Sequence, residues 1–177
     1  LLRCIKNLKD KKFKQINIPK FDKSIDDRSS KRKWLKVRKK PNIVIFEGWC
    51  VGVTAQKNKD LNFPLNKLEK EKDNKKIWRK RVNEELKKSY RKIFKIIDIN
   101  IFLKVPSFEH VYKWRLLQER KLSKNSDGDK IMNESQIKNF IMFYERLTKH
   151  MLKNFSKIAQ IVITIDKKHK LNSIKTN

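Results

Sequence analysis

Three short runs of β-branched and aromatic residues constrain the fold of this chain most strongly, because they alternate with segments of helical periodicity. The runs occupy positions 43–46, 99–106 and 160–166. Each is apolar on both faces, which is typical of strands covered on both sides in a parallel sheet. The order strand, helix, strand, helix, helix, strand predicts an α/β fold, a three-layer parallel sheet with flanking helices.

Apolar residues spaced three and four apart predict helices between these strands. The first stripe consists of Trp78, Val82, Leu86, Tyr90, Ile93 and Ile97. The next helix is expected after Ser107, a good N-cap residue, and a long amphipathic helix is expected over 135–155. A short helix is expected at 1–10 and a short strand at 16–18, whereas the sequence after 166 is a polar tail.

The charge is strongly positive, with 47 Lys and Arg against 19 Asp and Glu and a formal net charge of +28. Such a charge suggests a polyanionic partner. The lysines are spread along the whole chain, however, which favours the compositional bias of an AT-rich genome and only non-specific polyanion binding. Cys4 and Cys50 are the only cysteines, and no apolar run approaches the length of about 20 residues that a membrane span needs. We therefore expect a cytoplasmic protein without membrane segments.

Ligands of open parallel sheets bind beyond the carboxyl ends of the strands. Glu47 stands where the run 43–46 ends, and Gly48 and Gly52 follow it and would let the backbone approach a ligand closely. A carboxylate there can hold Mg²⁺ through water or orient an attacking hydroxyl, but a helix cap or a lysine partner explains it equally well.

Two further clusters of charge admit both a functional and a structural interpretation. The first is Asp22, Lys23, Asp26, Asp27 and Arg28, which could bind a small anionic substrate or form a solvated turn with mutual ion pairs. The second is Arg115, Glu119, Arg120 and Lys121, which could close over transferring phosphates or line a solvated helix face.

Four segments in this order resemble the D-glycerate 3-kinase-like P-loop kinases, relatives of phosphoribulokinase and uridine kinase. They are IPKFDKSIDDR, IVIFEGWCVG, VPSFEHVYKWRLLQERKL and FIMFYERLTKHML. The resemblance runs from about the first residue to position 166. It implies a single P-loop kinase-like domain over 1–177, in which 107–155 form a lid and its following helix.

The resemblance implies ATP-dependent phosphorylation of a small hydroxy acid such as glycerate, with ATP and Mg²⁺ as cofactors. It implies catalytic roles for Asp22, the acid beside the acceptor hydroxyl, for Glu47, which also contacts magnesium, and for Arg115 of the lid. The implied substrate-binding residues are Lys23, Asp27, Arg28, Trp49 and Tyr144, and the implied nucleotide-binding residues are Arg120 and Lys121.

The sequence departs from this family at its phosphate-binding loop, Gly-x-x-x-x-Gly-Lys-Ser/Thr. No glycine precedes Gly48, so residues 1–177 contain no such loop. We therefore expect a domain that is incomplete at its N-terminus and inactive by itself. It would be a fragment of a kinase, a domain completed by a second chain, or a remnant that only binds substrate or a partner.

A basic nucleic-acid-binding module is the alternative. Trp34 lies among the cations of segment 29–40, where an aromatic ring could stack on a base. This alternative assigns no role to Asp22, Asp27 or Glu47, which would repel phosphates.

Overall fold

The computed structural model describes residues 1–22, 27–123 and 132–177. These residues form two compact units, Leu1–Gly48 and Trp49–Asn177. The single-domain organisation expected from the sequence stays a prediction. The polar break at 124–130 lies outside the described residues, as do Lys23 and Asp26.

The first unit contains one helix and two antiparallel pairs of very short strands. Its elements are α1 (Leu2–Lys9), β1 (Ile16–Ile18), β2 (Phe21–Asp22), β3 (Asp27–Arg28) and β4 (Leu35–Val37). Strand β1 pairs with β4, and β2 pairs with β3. Helix α1 buries Ile5 and Leu8, which lie three positions apart on one face. The expected first helix and the expected strand at 16–18 are thereby confirmed.

The strand expected at 43–46 is wrong. These residues have no regular secondary structure, and Ile43 and Ile45 are 78% and 84% exposed. Apolar composition does not by itself make a strand, because a strand is stabilised by its ladder and its cross-strand neighbours. Among the described residues, no segment pairs with 43–46.

The second unit is built on a three-stranded sheet. The strands are β5 (Ile101–Lys104), β6 (Ile161–Ile165) and β7 (Leu171–Thr176), in the spatial order β5-β6-β7. Strands β5 and β6 are parallel, as expected, whereas β6 and β7 are antiparallel. Phe102 and Val162 are buried, but Ile101 is 56% exposed, so β5 is not covered on both faces as its sequence predicted.

The helices of this unit surround one main core. They are α2 (Lys67–Lys72), α3 (Ile77–Glu85), a π-helical turn (Leu86–Tyr90), α4 (Arg91–Phe94), α5 (Phe108–Ser123) and α6 (Glu134–Asn154). The core consists of Val53, Leu86, Phe102, Met151, Phe155, Ala159 and Val162. A smaller cluster of Phe108, Ile137 and Ile141 lies between α5 and α6. Within the described residues, no helix combines the length and the apolarity that a membrane crossing requires.

Helix α3 buries a neighbouring face, about 100° round the helix from the one its apolar stripe predicts. Arg79 and Asn83 are buried, whereas Trp78 is 70% and Val82 43% exposed. The side chain of Asn83 explains part of this, because it accepts from the Gln56 backbone N–H at 2.7 Å and donates to the Gln56 backbone carbonyl at 3.0 Å. The helix turns its polar face inward because irregular backbone beneath it needs hydrogen-bond partners.

Gly52 lies directly on the core ring of Phe155. Its φ is +82°, and a Cβ atom at this position would stand 2.5 Å from Cζ of Phe155. The group that Gly52 approaches closely is therefore a buried side chain of the same unit.

Candidate active site

Two acidic residues are cross-strand partners on the hairpin of β2 and β3. Asp22 is the register partner of Asp27, and Phe21 is the partner of Arg28. Like charges directly opposite each other repel. The Asp27 carboxylate accepts a hydrogen bond from the backbone N–H of Arg28 at 2.6 Å. Asp27 and Arg28 are exposed and Asp22 is half-buried, so the hairpin carries two acids and one guanidinium that solvent can reach.

A buried serine fixes the base of this hairpin. Ser29 donates from its backbone N–H and from Oγ to the carbonyl of Lys20, at 2.8 and 2.9 Å. The carbonyl of Ser29 accepts from the indole N–H of Trp34 at 2.8 Å. Trp34 therefore ties the hairpin to the segment that follows it. Its use as a base-stacking platform stays a prediction.

Glu47 is an exposed residue in the irregular segment before Gly48. The strand that would have ended at Glu47 does not form, so its expected position at the carboxyl edge of a sheet is wrong for the described structure. Its proposed roles in catalysis and in magnesium binding therefore need support other than a strand end.

Trp49 and Tyr144 form the centre of an aromatic cluster in the second unit. Their rings are stacked, with centroids 4.5 Å apart and planes 9° apart. Phe140 lies one turn earlier on α6, at 6.4 Å from the Trp49 ring and 5.2 Å from the Tyr144 ring. The indole N–H of Trp49 donates to Oγ1 of Thr148 at 2.9 Å. Helix α6 thus holds Trp49 by three successive turns of one face.

Arg115 of α5 stands at the edge of the same cluster. Its guanidinium carbon is 5.6 Å from the centroid of Phe140, within the range of a cation–π contact. It forms an ion pair with the buried Glu119 one turn later and donates to Oε1 of Gln118 at 2.6 Å. Its Nε is buried and has no hydrogen-bond partner among the described residues.

Burial raises the pKa of the Cys50 thiol to about 11, so this neighbour of Trp49 is a neutral packing residue at physiological pH. Cys50 is partly buried against the main core. Cys50, next to Trp49 in the sequence, therefore supplies no nucleophilic thiolate.

Comparison with known proteins gives the cluster a context. No family model matches the chain. It is 30% identical over 136 residues to an uncharacterized kinase, mug58, of Schizosaccharomyces pombe, and the match covers 73% of this chain and 47% of that protein. It is 25% identical over 134 residues to the chloroplastic D-glycerate 3-kinase of Arabidopsis thaliana, covering 73% of this chain and 26% of that one.

The solved structure of D-glycerate 3-kinase from Cryptococcus neoformans superposes with a TM-score of 0.71 at 20% identity, covering 99% of this chain and 64% of that one. The chain fits the D-glycerate 3-kinase-like family. This confirms the resemblance that the four sequence segments predicted. The chain spans 47% and 26% of the two curated relatives, so their complete activities do not pass to it directly.

In this D-glycerate 3-kinase-like chain, Arg120 and Lys121 lie apart from Arg115. Both are exposed on the last part of α5, whereas Arg115 is half-buried. Five and six residues of helix rotate them away from Arg115 by more than a quarter turn. Arg120 instead acts on Glu134: the hydrogen bond from Tyr112 chiefly, and the charges of Lys138 and Arg120 as well, lower the pKa of Glu134.

Mg²⁺ and ATP are the cofactors that the family resemblance implies. In the described stretches, no three or more His, Cys, Asp or Glu side chains gather in a way that could hold a metal. Mg²⁺ in kinases is commonly held by one or two carboxylates together with waters and substrate phosphates. The exposed Glu47 and the Asp22–Asp27 pair fit that manner of binding. The three glycines of the sequence, at positions 48, 52 and 128, do not form a glycine-rich loop that could bind the phosphates of ATP.

The structure thus groups the predicted site residues into two sets. Asp22, Asp27 and Arg28 share the hairpin of the first unit, and Trp49, Tyr144 and Arg115 share the aromatic cluster of the second. Sequence reasoning assigned no site role to two members of the cluster, Phe140 and Thr148. Their spacing of four from Tyr144 was the signal available, because residues four apart lie on one helix face.

Proposed function

We propose that this chain takes part in the ATP-dependent transfer of a γ-phosphoryl group to a hydroxyl of a small hydroxy acid, with D-glycerate as the leading acceptor. The observation that carries the proposal is the aromatic cluster. Trp49, Tyr144 and Arg115 come from three separate segments, and each was selected through the family resemblance. Their proximity is what a shared kinase site requires, and the names of the relatives point to the same reaction.

The hairpin is proposed to bind the acceptor. Arg28 would pair with the substrate carboxylate, because a guanidinium offers two parallel donors to its two oxygens. Asp22 would accept the hydroxyl proton while that oxygen bonds to the γ-phosphorus and the bond from phosphorus to the β–γ bridging oxygen breaks, releasing ADP.

Arg115 is proposed to act from the lid side. Its ion pair with Glu119 and its contact with Phe140 fix the guanidinium, while Nε retains an unused donor. A buried donor without a partner costs about 1–3 kcal/mol, and a phosphate oxygen would satisfy it. Arg120 and Lys121 would meet the nucleotide from the exposed end of α5. Trp49 and Tyr144 are proposed as substrate-binding residues of the second unit.

ATP supplies the phosphoryl group and Mg²⁺ neutralises its oxygens when they are bound. Glu47 is proposed to contact magnesium-bound water. We also propose that the chain has the three-layer architecture of the family, and that residues other than 1–177 contribute the loop that binds the nucleotide phosphates.

A turnover assay tests the proposal. In a protein that joins residues 1–177 to a Gly-x-x-x-x-Gly-Lys-Ser loop and its strand, we expect ADP release that depends on D-glycerate. Asp22→Asn should lower turnover by about 10²–10⁴-fold, the usual contribution of a general base, while ATP binding is unchanged. ADP release that is indifferent to D-glycerate would refute the reaction, and unchanged turnover in Asp22→Asn would remove Asp22 from it.

A further inference from the structure

One feature that the proposed kinase site does not use is an open cavity of about 390 Å³ in the unit Trp49–Asn177. Its floor is apolar and is lined by Leu86, Phe94, Phe155 and Ile158. Leu86 and Phe155 also belong to the main core, so the floor is anchored in the best-packed part of the unit. A cavity of this volume lies within the range of about 300–1,000 Å³ that small-molecule sites occupy.

Three cations stand on one side of this cavity. Lys87, Arg91 and Lys95 line it and are spaced four residues apart, along one face of the segment from the π turn to the C-cap of α4. Lys87 is shared with Glu84, at 2.7 Å. Among the described lining residues there is no carboxylate. The rim therefore carries an excess of positive charge directly beside an apolar floor.

The cavity lies at the opposite end of the parallel strands from the site expected for a kinase. Asn100 immediately precedes β5 and Ile158 lies shortly before β6, and both line the cavity. These positions are the amino ends of two parallel strands. Ligands of α/β sheets bind beyond the carboxyl ends, so this cavity does not lie at the edge of the sheet where such ligands bind.

We propose that this cavity binds a small organic anion, in which an aromatic or short aliphatic body carries a phosphate or carboxylate group. The body would rest on Phe94 and Phe155, and the anionic group would meet Arg91 and Lys95. Apolar burial supplies affinity, and charge-assisted hydrogen bonds fix the orientation. The inference does not depend on the proposed kinase reaction, because it uses none of the residues assigned to that reaction.

The test uses 8-anilinonaphthalene-1-sulfonate as a fluorescent probe, at about 0.15 M salt so that long-range charge is screened. The variant Arg91→Ser/Lys95→Ser removes the two cations. The matched control Lys88→Ser/Lys92→Ser removes the same charge from exposed positions of the same segment that do not line the cavity. Near-ultraviolet circular dichroism of all three proteins verifies that the fold is retained.

We expect saturable binding of one probe molecule, weakened roughly tenfold or more in the Arg91/Lys95 double variant and less than about twofold in the control. Phenyl phosphate should displace the probe at lower concentration than either inorganic phosphate or phenol, because only phenyl phosphate contacts both rim and floor. Equal effects of the two double variants, or displacement by inorganic phosphate as effective as by phenyl phosphate, would overturn the proposal.

Discussion

Replacing Gly52 with alanine should destabilise the second unit for two reasons that can be separated. Its φ of +82° lies in the left-handed region, which costs an L-residue about 1–2 kcal/mol. The new methyl group would also stand 2.5 Å from Cζ and 3.0 Å from Cε2 of Phe155, a core residue that is 4% exposed and whose ring would have to shift. Overpacking of this kind typically costs about 1–3 kcal/mol.

These two costs act against a small gain from the stiffer unfolded chain, so we expect Gly52→Ala to lower the free energy of unfolding by about 2–4 kcal/mol. Urea denaturation followed by tryptophan fluorescence measures it. Gly48→Ala is the matched control, because Gly48 has no positive φ, and it should change stability by less than about 1 kcal/mol.

A second substitution separates strain from crowding. Adding Phe155→Leu to Gly52→Ala should relieve the part of the destabilisation that comes from crowding. The two substitutions together should therefore cost less stability than the sum of their separate effects. If Gly52→Ala destabilises no more than Gly48→Ala, the close approach of Gly52 to Phe155 is not a constraint on this fold.

Three other predictions concern the second unit. Arg146 pairs with Glu69 through two hydrogen bonds of 2.6 Å in a nearly buried position, so Arg146→Met should cost about 3–5 kcal/mol in urea unfolding. Arg81→Met, which breaks the exposed pair of Arg81 with Glu85, should cost less than about 1 kcal/mol, and equal losses would contradict the distinction. Burial raises the pKa of Glu69, but the hydrogen bonds and charge of Arg146 outweigh burial, so that the pKa is lowered from 4.5. The contribution of Glu69 to the free energy of unfolding should therefore be complete above pH 4.5 and fall as the pH drops further. Glu69→Gln should reduce this dependence of stability on pH. Because its pKa is about 11, Cys50 should react with iodoacetamide at pH 8 roughly 100-fold more slowly in the folded Cys4→Ser protein than in urea, and equal rates would show that Cys50 is not buried.

The sequence predicted those elements whose apolar pattern agrees with their final burial. Helix α6 is the clearest case, because Ile137, Ile141 and Met151 face inward as their spacing requires. Its start was placed one residue late: Asn133 and Gln136 form a reciprocal capping box, a signal carried by polar residues ahead of the apolar stripe. Strand β6 was predicted for the same reason as α6.

Elements that depend on partners distant in the sequence were not predictable in the same way. Strand β7 is exposed along its whole length and is formed by pairing with β6, so its polar composition gave no signal. The run at 43–46 had the composition of a strand but lacks a pairing partner in the described chain. On α3, hydrogen-bonding demand from Gln56 and Asp73 turned Arg79 and Asn83 inward against the apolar stripe.

The candidate site shows the same division. Family resemblance selected Trp49, Tyr144 and Arg115, but composition and spacing could not show that the first two stack. Phe140 and Thr148 complete the cluster through contacts that only the folded chain reveals. The pairing of Asp22 with Asp27 likewise depends on a hairpin whose strands are two residues long and carry no alternating pattern.

Calorimetric titration of residues 1–177 with D-glycerate tests the central claim, that this chain holds the acceptor side of a small-molecule kinase. We predict saturable binding of D-glycerate, which Arg28→Met should weaken by roughly tenfold or more. Arg38→Met, which removes an exposed arginine outside the hairpin, should leave the affinity unchanged. Glycerol, which lacks the carboxylate, should not bind in this way. The absence of binding, or equal binding by wild type and Arg28→Met, would contradict the account.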